Sequence, residues 1–405
     1  MDKKIIFQKF NFNYIYFILY IAIYFASYFL KFFDIKNYVF EALVFYLSSY
    51  QLIYIYINFV SNFIALIPFL IIKIKTKKNK NIDNENKERD DLSLIYNRFE
   101  KYETKKIIKK NIIYFFLLAL FDFLSQCINF IFNMLYSDES NYIGSLICTV
   151  PFYIIIQYAL SYFTLKMNFY KIHYFSFILN SVIFIILFIL DILDIIANVY
   201  RIKYYFFYLL ILTFDSYEYC LGKKLLTSGF ITPYNLLLIK AIFNFGIILI
   251  FSIIILIIDK NIFIGIGFYF TEIESIFMKI SNIFIIFLKN LFLWIIIDRF
   301  SPNHFPLALI LKEIIGFILD ITVFQTGYSD KIWVIVIRII LYIILFIGVM
   351  IHNEIVIINI CGLGSYTKYF LDLKAIKEQI YSNEENPEIL KRYETFEEND
   401  DHLAE

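Results

Sequence analysis

The chain has 405 residues, of which 60% are hydrophobic, and its mean hydropathy is +0.68. A soluble globular domain is closer to half apolar, so this composition excludes an ordinary soluble protein and predicts a chain covered by lipid. The formal net charge is +1 and the basic residues lie mostly in loops, which gives no reason to expect a nucleic-acid partner.

The apolar residues form blocks long enough to cross a bilayer, whose hydrocarbon core of roughly 30 Å needs about 20 helical residues. Membrane-spanning strands alternate apolar and polar side chains, which blocks such as 183–190 do not, so helices are favoured. We predict an all-α polytopic membrane protein with about ten transmembrane helices, at approximately 12–30, 40–72, 111–135, 142–164, 173–190, 204–221, 234–258, 276–297, 304–323 and 332–351.

The first two blocks need separate interpretation. Residues 1–30 begin with lysines and continue into an apolar run, but no small-residue cleavage motif follows, so we interpret them as a first span rather than a removable signal peptide. The uncharged run 42–72 would form a helix of about 46 Å, longer than the bilayer core requires. A tilted helix accommodates the excess. The alternative is two short spans broken near Ser61 and Asn62, which would reverse every later span.

An even number of spans places both ends of the chain on one side of the membrane. Lys and Arg are concentrated in alternate loops, above all in residues 73–110, and cation-rich loops face the cytosol. We expect a multi-pass protein of an endomembrane or the plasma membrane with cytosolic N- and C-termini. Its predicted segments are a stub with spans one and two (1–72), a charged cytosolic loop (73–110), spans three to five (111–200), spans six to ten (201–351) and an acidic cytosolic tail (352–405).

The third span carries polar side chains on one face of an otherwise apolar helix, because they are spaced three and four residues apart. Ionisable groups are costly in lipid, so this face is expected to turn inward. Two interpretations stay open: the wall of a solute cavity, and a hydrogen-bonded seam between helices. The residues are Asp122, Ser125, Gln126, Asn129 and Asn133.

The sixth and seventh spans add ionisable candidates. Asp215 and Glu218 are three residues apart near the predicted cytosolic end of the sixth span, where they either share a coupling proton or lie at the interface beside two lysines. Lys240 is about seven residues inside the seventh span, with Asn244 one turn further on. Lys240 either snorkels to the surface, pairs with Asp122 or binds an anionic solute.

Gln157 in the fourth span is a further cavity candidate, because it lies six residues after Pro151, which frees a backbone carbonyl and can kink the helix toward a cavity. The alternative is a kink with a purely structural role. Catalytic motifs are not apparent. The four histidines are scattered, no GxSxG or Gly-rich phosphate loop occurs, and the four cysteines have no CxxC spacing. We therefore expect neither an enzyme, nor a cofactor, nor a metal site.

Several segments resemble the drug/metabolite transporter superfamily, in its EamA-like branch near the nucleotide-sugar carriers. Two consecutive segments are similar to the core of that branch, from its third to its fifth span: FDFLSQCINFIFNMLY and SLICTVPFYIIIQYALSYFTLKMNFYKIHYFSFILNSVIF. Asp122, Lys166 and Lys171 stand at the charged positions of that core. The segments TPYNLLLIKAIFNFG, FSPNHFPLALILKEIIGFILD and HNEIVIINICGLGSYTK are similar to its seventh span, its ninth span and its closing cytosolic motif in divergent protist members. The resemblance covers roughly residues 40–365 and implies two inverted five-helix repeats, which matches a division near residue 200.

The chain also departs from that family. Lys240 and Asn244 stand where the family commonly has Glu and Gly, and residues 147–151 lack its Gln-Met-Leu-Arg-Gly stretch. We predict a secondary transporter of a small polar metabolite, such as a nucleotide-sugar or another organic anion, working by alternating access. The alternative is a non-transporting scaffold or receptor that binds partners through its cytosolic loop and tail. The expected partners are a small solute and the lipid bilayer, and a homodimer stays open.

Overall fold

The computed structural model describes residues 5–7, 14–26, 55–71, 74, 111–131, 149–167, 169–195, 201–229, 231–258, 276–319, 332–358, 367 and 371. Within these residues there are ten helices of more than two turns and two short strands. In chain order they are β1 Ile5–Phe7, α1 Ile15–Ala26, α2 Ile55–Ile71, α3 Asn111–Ile131, α4 Thr149–Leu165, α5 Lys171–Ile195, α6 Arg201–Gly229, α7 Pro233–Ile258, α8 Ile276–Arg299, α9 Phe305–Leu319, α10 Ile332–His352 and β2 Val356–Ile358.

The predicted helical fold class is confirmed, since each of these helices overlaps one predicted span. Four stretches in the described part of the chain are long and apolar enough to cross a membrane: Asn111–Ile131, Lys171–Leu190, Pro233–Ile254 and Lys279–Arg299. They suit a membrane-embedded protein. Most of the predicted loop 73–110 and of the tail 352–405 lies outside the described residues.

The outer surface of the bundle is apolar along whole helix faces. On α5 and α7 the exposed side chains recur every three or four residues, which is the spacing of a single helix face. A soluble protein rarely exposes continuous apolar faces of this kind, whereas lipid covers them without cost. These exposed residues are Tyr174, Phe175, Ile178, Val182, Ile185, Ile186 and Ile189 on α5, and Ile242, Phe245, Leu249, Ile250, Ile253 and Ile257 on α7.

Helix α2 contains a distortion where the sequence suggested a possible break. The Ser61 hydroxyl donates to the Asn58 carbonyl at 2.7 Å, and residues Asn62–Ala65 form a 3-10 turn. A side chain that bonds a carbonyl in its own helix competes with the regular ladder and bends the helix. The chain nevertheless continues as helix to Ile71, so it does not reverse at this point. Residues 40–54 of this predicted span lie outside the described residues.

The helices pack in pairs that involve both halves of the chain. Helix α4 packs on α5 and α6, and α9 packs on α10. Helix α2 contacts α7 and α8, while α5 contacts α10. Aromatic contacts join α3 to α6 through Phe121 and Phe214, α1 to α8 through Tyr16 and Phe292, and α1 to α9 through Tyr20 and Phe305.

The two strands join the beginning and the end of the helical region. β1 pairs antiparallel with β2, so that Ile5 lies opposite Ile358, Ile6 opposite Ile357 and Phe7 opposite Val356. Because β1 precedes α1 and β2 follows α10, this ladder holds both ends of the helical region at the same end of the bundle.

Candidate functional site

A buried lysine joins three helices near the middle of the bundle. Lys240 on α7 extends its ammonium group between Asp122 on α3, at 2.8 Å, and Glu218 on α6, at 2.5 Å. All three side chains are almost completely buried. The predicted pairing of Lys240 with Asp122 is therefore confirmed. Lys240 does not snorkel to the surface. We call Asp122, Glu218 and Lys240 the ionic triad.

Two neighbours fix the orientation of the ionic triad. Asn244, one turn along α7 from Lys240, donates from Nδ2 to Asp122 Oδ2 at 3.0 Å, so that one carboxylate oxygen accepts from both residues. The Lys240 ammonium also lies 5.7 Å from the centre of the Trp294 ring on α8. Trp294 can approach because the adjacent residue on α6 is Gly222, where any side chain would overlap the indole ring.

The charges in the ionic triad do not balance. Two carboxylates face one ammonium group, so the triad carries an excess negative charge when all three groups are ionised. A buried charge must be paired or neutralised, because removing it from water costs several kcal/mol. The triad can therefore hold one proton in addition to the charge of Lys240.

A second pair of charged groups lies beside the ionic triad but makes no ion pair in the described part of the chain. Asp215 on α6 is half-buried and accepts a hydrogen bond from Ser125 Oγ at 2.6 Å. Lys289 on α8 is also half-buried and donates to no described acceptor. Asp215 and Lys289 are within electrostatic range of each other and of Asp122.

The polar face of α3 reaches the site only in part. Asp122 and Ser125 are buried and bonded, and Gln126 is half-buried. Asn129 is exposed almost two turns further along, close to the end of α3 at Ile131, so it does not reach the ionic triad. Asn133 lies outside the described residues.

Gln157 belongs to a different polar network. Its side-chain oxygen accepts from Tyr153, and its nitrogen donates to Ser161 and Cys220, each at 3.2 Å. Ser161 in turn donates to Asn303 Oδ1 at 2.6 Å. Because the amide of Gln157 is satisfied by α4 and α6 in this way, it joins helices rather than facing the Lys240 site.

A cluster of three amides joins α2 to α8 and was not among the candidates from the sequence. Asn290 Nδ2 donates to Asn58 Oδ1 at 3.2 Å and to Asn62 Oδ1 at 3.0 Å. The signal that could have indicated it is the presence of polar residues in the uncharged block 42–72. Residues of this kind commonly join membrane helices.

No group of three or more His, Cys, Asp or Glu side chains suited to a metal ion occurs among the described residues. The central site offers fixed charge of both signs beside the Trp294 ring, inside a bundle of apolar helices. No protein-family model, curated protein or solved structure matches the chain.

Proposed function

We propose that the chain is a secondary transporter that moves a small polar metabolite across a membrane by alternating access, with the ten-helix architecture of the drug/metabolite transporter superfamily. The observation that carries this proposal is the ionic triad. Ionisable groups inside apolar helices are rare and costly, and they mark substrate or ion pathways in membrane proteins. Asp122, Lys240 and Asn244 line the substrate path in this proposal, with Gln126 beside them.

The helix contacts support two repeats of five helices. If each helix of one repeat corresponds to the helix five places later in the chain, with α1 following α10, then a contact between two helices should recur between their counterparts. The observed contacts follow this rule: α4–α5 corresponds to α9–α10, α3–α7 to α8–α2, α3–α6 to α8–α1, and α4–α6 to α9–α1. The pairs α2–α7 and α5–α10 are each related to themselves. A pseudo-two-fold axis produces such a pattern, and inverted repeats rock about a midplane site in secondary transporters.

The strand ladder supports an even number of crossings. β1 and β2 hold the two ends of the helical region together, as they would if ten spans returned the chain to its starting side. The distribution of Lys and Arg assigns that side to the cytosol. The membrane is an endomembrane or the plasma membrane in this proposal.

The excess carboxylate supports coupling to protons. Glu218 and Asp122 compete for one lysine, so a proton on Glu218 would release Lys240 from one of its two partners. Asp215, one turn before Glu218, is the second group that could carry the proton. Protonation would change which helices the lysine holds together, and such a change can bias a two-state transporter.

A panel of ligands from several chemical classes tests the proposal. The purified protein in liposomes is heated with nucleotide-sugars, sugar phosphates, amino acids and organic cations, because a ligand of the folded state raises the melting temperature. The compound that stabilises the protein should also exchange across the liposome membrane, faster with an imposed pH gradient. If compounds stabilise the protein but none of them exchanges across the liposome membrane, the result would contradict a transporter.

A further inference from the structure

Three of the four histidines lie at the end of the bundle that carries the strand ladder. His173 is in the first turn of α5, His304 ends the 3-10 turn Pro302–His304 before α9, and His352 is the last residue of α10, four residues before β2. The ring centres of His173 and His352 are 5.0 Å apart. Because the charge of histidine changes between about pH 5 and 8, this end of the bundle contains groups that can respond to pH.

His352 is bonded across the bundle to the first half of the chain. Its Nε2 lies 3.4 Å from Asn303 Nδ2, and Ser161 on α4 donates to Asn303 Oδ1 at 2.6 Å. All three residues are almost completely buried, and the His352 ring stacks on Tyr158 of α4 with ring centres 3.5 Å apart. We call Ser161, Asn303 and His352 the histidine latch. It joins α4 to α10 and to the turn before α9, and so holds this end of the bundle closed.

The hydrogen bonds of the histidine latch require an uncharged His352. Ser161 Oγ accepts from Gln157 Nε2, so its own hydroxyl hydrogen is available for Asn303 Oδ1. The amide nitrogen of Asn303 is then directed at His352 Nε2, which has to accept. A neutral histidine that accepts at Nε2 carries its one hydrogen on Nδ1, whereas a charged histidine accepts at neither nitrogen. The contact with Asn303 therefore exists only while His352 is neutral.

A proton on His352 Nε2 would break the histidine latch. Two donors would then face each other, unless the Asn303 amide turned over, and turning it over would remove the oxygen to which Ser161 donates. In either case a buried hydrogen bond is lost. Water that enters this end of the bundle would in turn favour the charged ring, because a buried charge is costly. Protonation and opening therefore favour each other.

The titratable groups around His352 come from four elements. Tyr158 on α4 stacks on the ring, His173 on α5 meets it edge-on, and His304 lies within electrostatic range in the turn before α9. Glu354, in the turn after α10, has a carboxylate oxygen 3.7 Å from His173 Nε2. Since His173 Nδ1 accepts a backbone hydrogen bond at 3.0 Å, its hydrogen is on Nε2, and a second proton would strengthen the contact with Glu354. His352 is therefore the histidine whose protonation opposes closure.

We infer that the histidine latch is a pH-sensitive gate, which keeps the strand-ladder end of the bundle closed while His352 is neutral and releases it when His352 is protonated. This inference deepens the proposed function and rests on it, since alternating access requires each end of the bundle to open in turn. The open end binds more protons than the closed end, so the stability of the closed end is present at neutral pH and is lost as the pH falls.

The test measures the reactivity of Cys220, which lies on α6 against the histidine latch. Its sulfur is 3.7 Å from Ser161 Oγ and is buried, so a reagent reaches it only when the contacts of α4 loosen. The full-length protein with Cys127, Cys148 and Cys361 replaced is treated with dithiodipyridine, and each rate is divided by that of the unfolded protein at the same pH. The corrected rate should rise about tenfold or more between about pH 7.5 and about pH 5, because histidine takes up its proton over this range. An unchanged rate would overturn the inference.

The matched control is a protein that keeps Cys127 and has the other three cysteines replaced. Cys127 is buried on α3, in a cluster with Phe59 and Phe123 that contains no residue of the histidine latch. Its corrected rate should be the same at both pH values. Equal increases at Cys127 and Cys220 would show that acid loosens the whole protein, and would also overturn the inference.

Three variants identify the group that titrates. His352→Gln keeps an oxygen that accepts from Asn303 at every pH, so its Cys220 rate should no longer depend on pH. Asn303→Asp places a carboxylate opposite His352 and favours the protonated ring in the closed state, so the rate should fall in acid rather than rise. His173→Gln should still show the increase of the unmodified protein. An increase that survives in His352→Gln, or is lost in His173→Gln, would overturn the assignment to His352.

The outcomes for this inference and for the transporter are distinguishable, because thiol reactivity is measured without a transported compound. If a compound exchanges across the liposome membrane but the Cys220 rate is the same at both pH values, the histidine latch is wrong and the transporter stands. If the Cys220 rate follows His352 as described but no compound exchanges, the latch stands and the transporter is wrong.

Discussion

The close approach of Gly222 to Trp294 positions the indole ring next to Lys240. A β-carbon at position 222 would overlap that ring, whereas a β-carbon at Gly246 would meet no atom within 4 Å. We predict that Gly222→Ala destabilises the protein by about 1–3 kcal/mol, because a well-packed site cannot accept an added methyl group without a shift.

The matched control is Gly246→Ala, which should be neutral or stabilising by roughly 0.5–1 kcal/mol, since alanine is the better helix former. Both variants are compared by thermal unfolding in one detergent. Equal melting temperatures for the two would show that Trp294 is not held as described.

Lys240 is predicted to stabilise the protein because it is the counter-ion shared by two buried carboxylates, Asp122 and Glu218. Lys240→Met should cost about 3–5 kcal/mol, since it leaves both without a counter-ion. The triple variant Asp122→Asn/Glu218→Gln/Lys240→Met removes all three charges and should recover most of that loss while remaining unable to transport. Chemical unfolding of the two variants measures the difference. If the triple variant unfolds as easily as Lys240→Met, then Lys240 does not stabilise the protein by compensating the charge of the two carboxylates.

The sequence identified Asp122, Lys240 and Asn244 because polar groups deep inside apolar blocks are conspicuous. It did not identify Glu218 as the partner of Lys240, because that contact depends on how α6 and α7 are rotated against each other. Gln157 was equally conspicuous, yet its amide already makes hydrogen bonds within α4 and to Cys220 on α6. Spacing indicates which side chains turn inward but not which of them meet.

At the level of the helices, predicted positions were more accurate than predicted ends. The sixth span was expected to end at 221, before Lys223 and Lys224, but α6 continues to Gly229. Lysine is a good helix former, and Lys223 donates to the Asp298 carbonyl at 2.8 Å, so neither charge interrupts the helix. Asp215 and Glu218 consequently lie in the middle of α6 rather than near its end.

The amide cluster between α2 and α8 is predicted to contribute much less stability than the ionic triad. Asn290→Leu should cost about 1 kcal/mol, because interhelical hydrogen bonds between neutral groups in membranes are weak. The matched control is Asn282→Leu on the same helix, where a buried amide has no hydrogen-bond partner among the described residues and its loss should be neutral or stabilising. Thermal unfolding of both variants checks this. A larger cost for Asn282→Leu than for Asn290→Leu would contradict the assigned contacts.

For the whole molecule, the β1–β2 ladder predicts which residues can be cross-linked. In a variant without its four native cysteines, Ile6→Cys with Ile357→Cys should form a disulfide on mild oxidation, since directly opposed residues are about 4.5–5.5 Å apart. Phe7→Cys with Ile358→Cys, two positions out of register, should not. Loss of maleimide–polyethylene glycol labelling reports the bond. Equal cross-linking in both variants, or in neither, would contradict the register.

We propose that the bundle opens a polar interior to each side of a membrane in turn. The most direct test is the labelling of Gln126→Cys, half-buried beside the ionic triad, by a membrane-impermeant maleimide added to either side of oriented vesicles, with the native cysteines replaced. Ile250→Cys on the lipid-facing surface of α7 serves as the control and should not be labelled. We predict that Gln126→Cys is labelled from both sides, in a proportion that ligand changes. Labelling from one side only, or from neither in folded protein, would contradict alternating access.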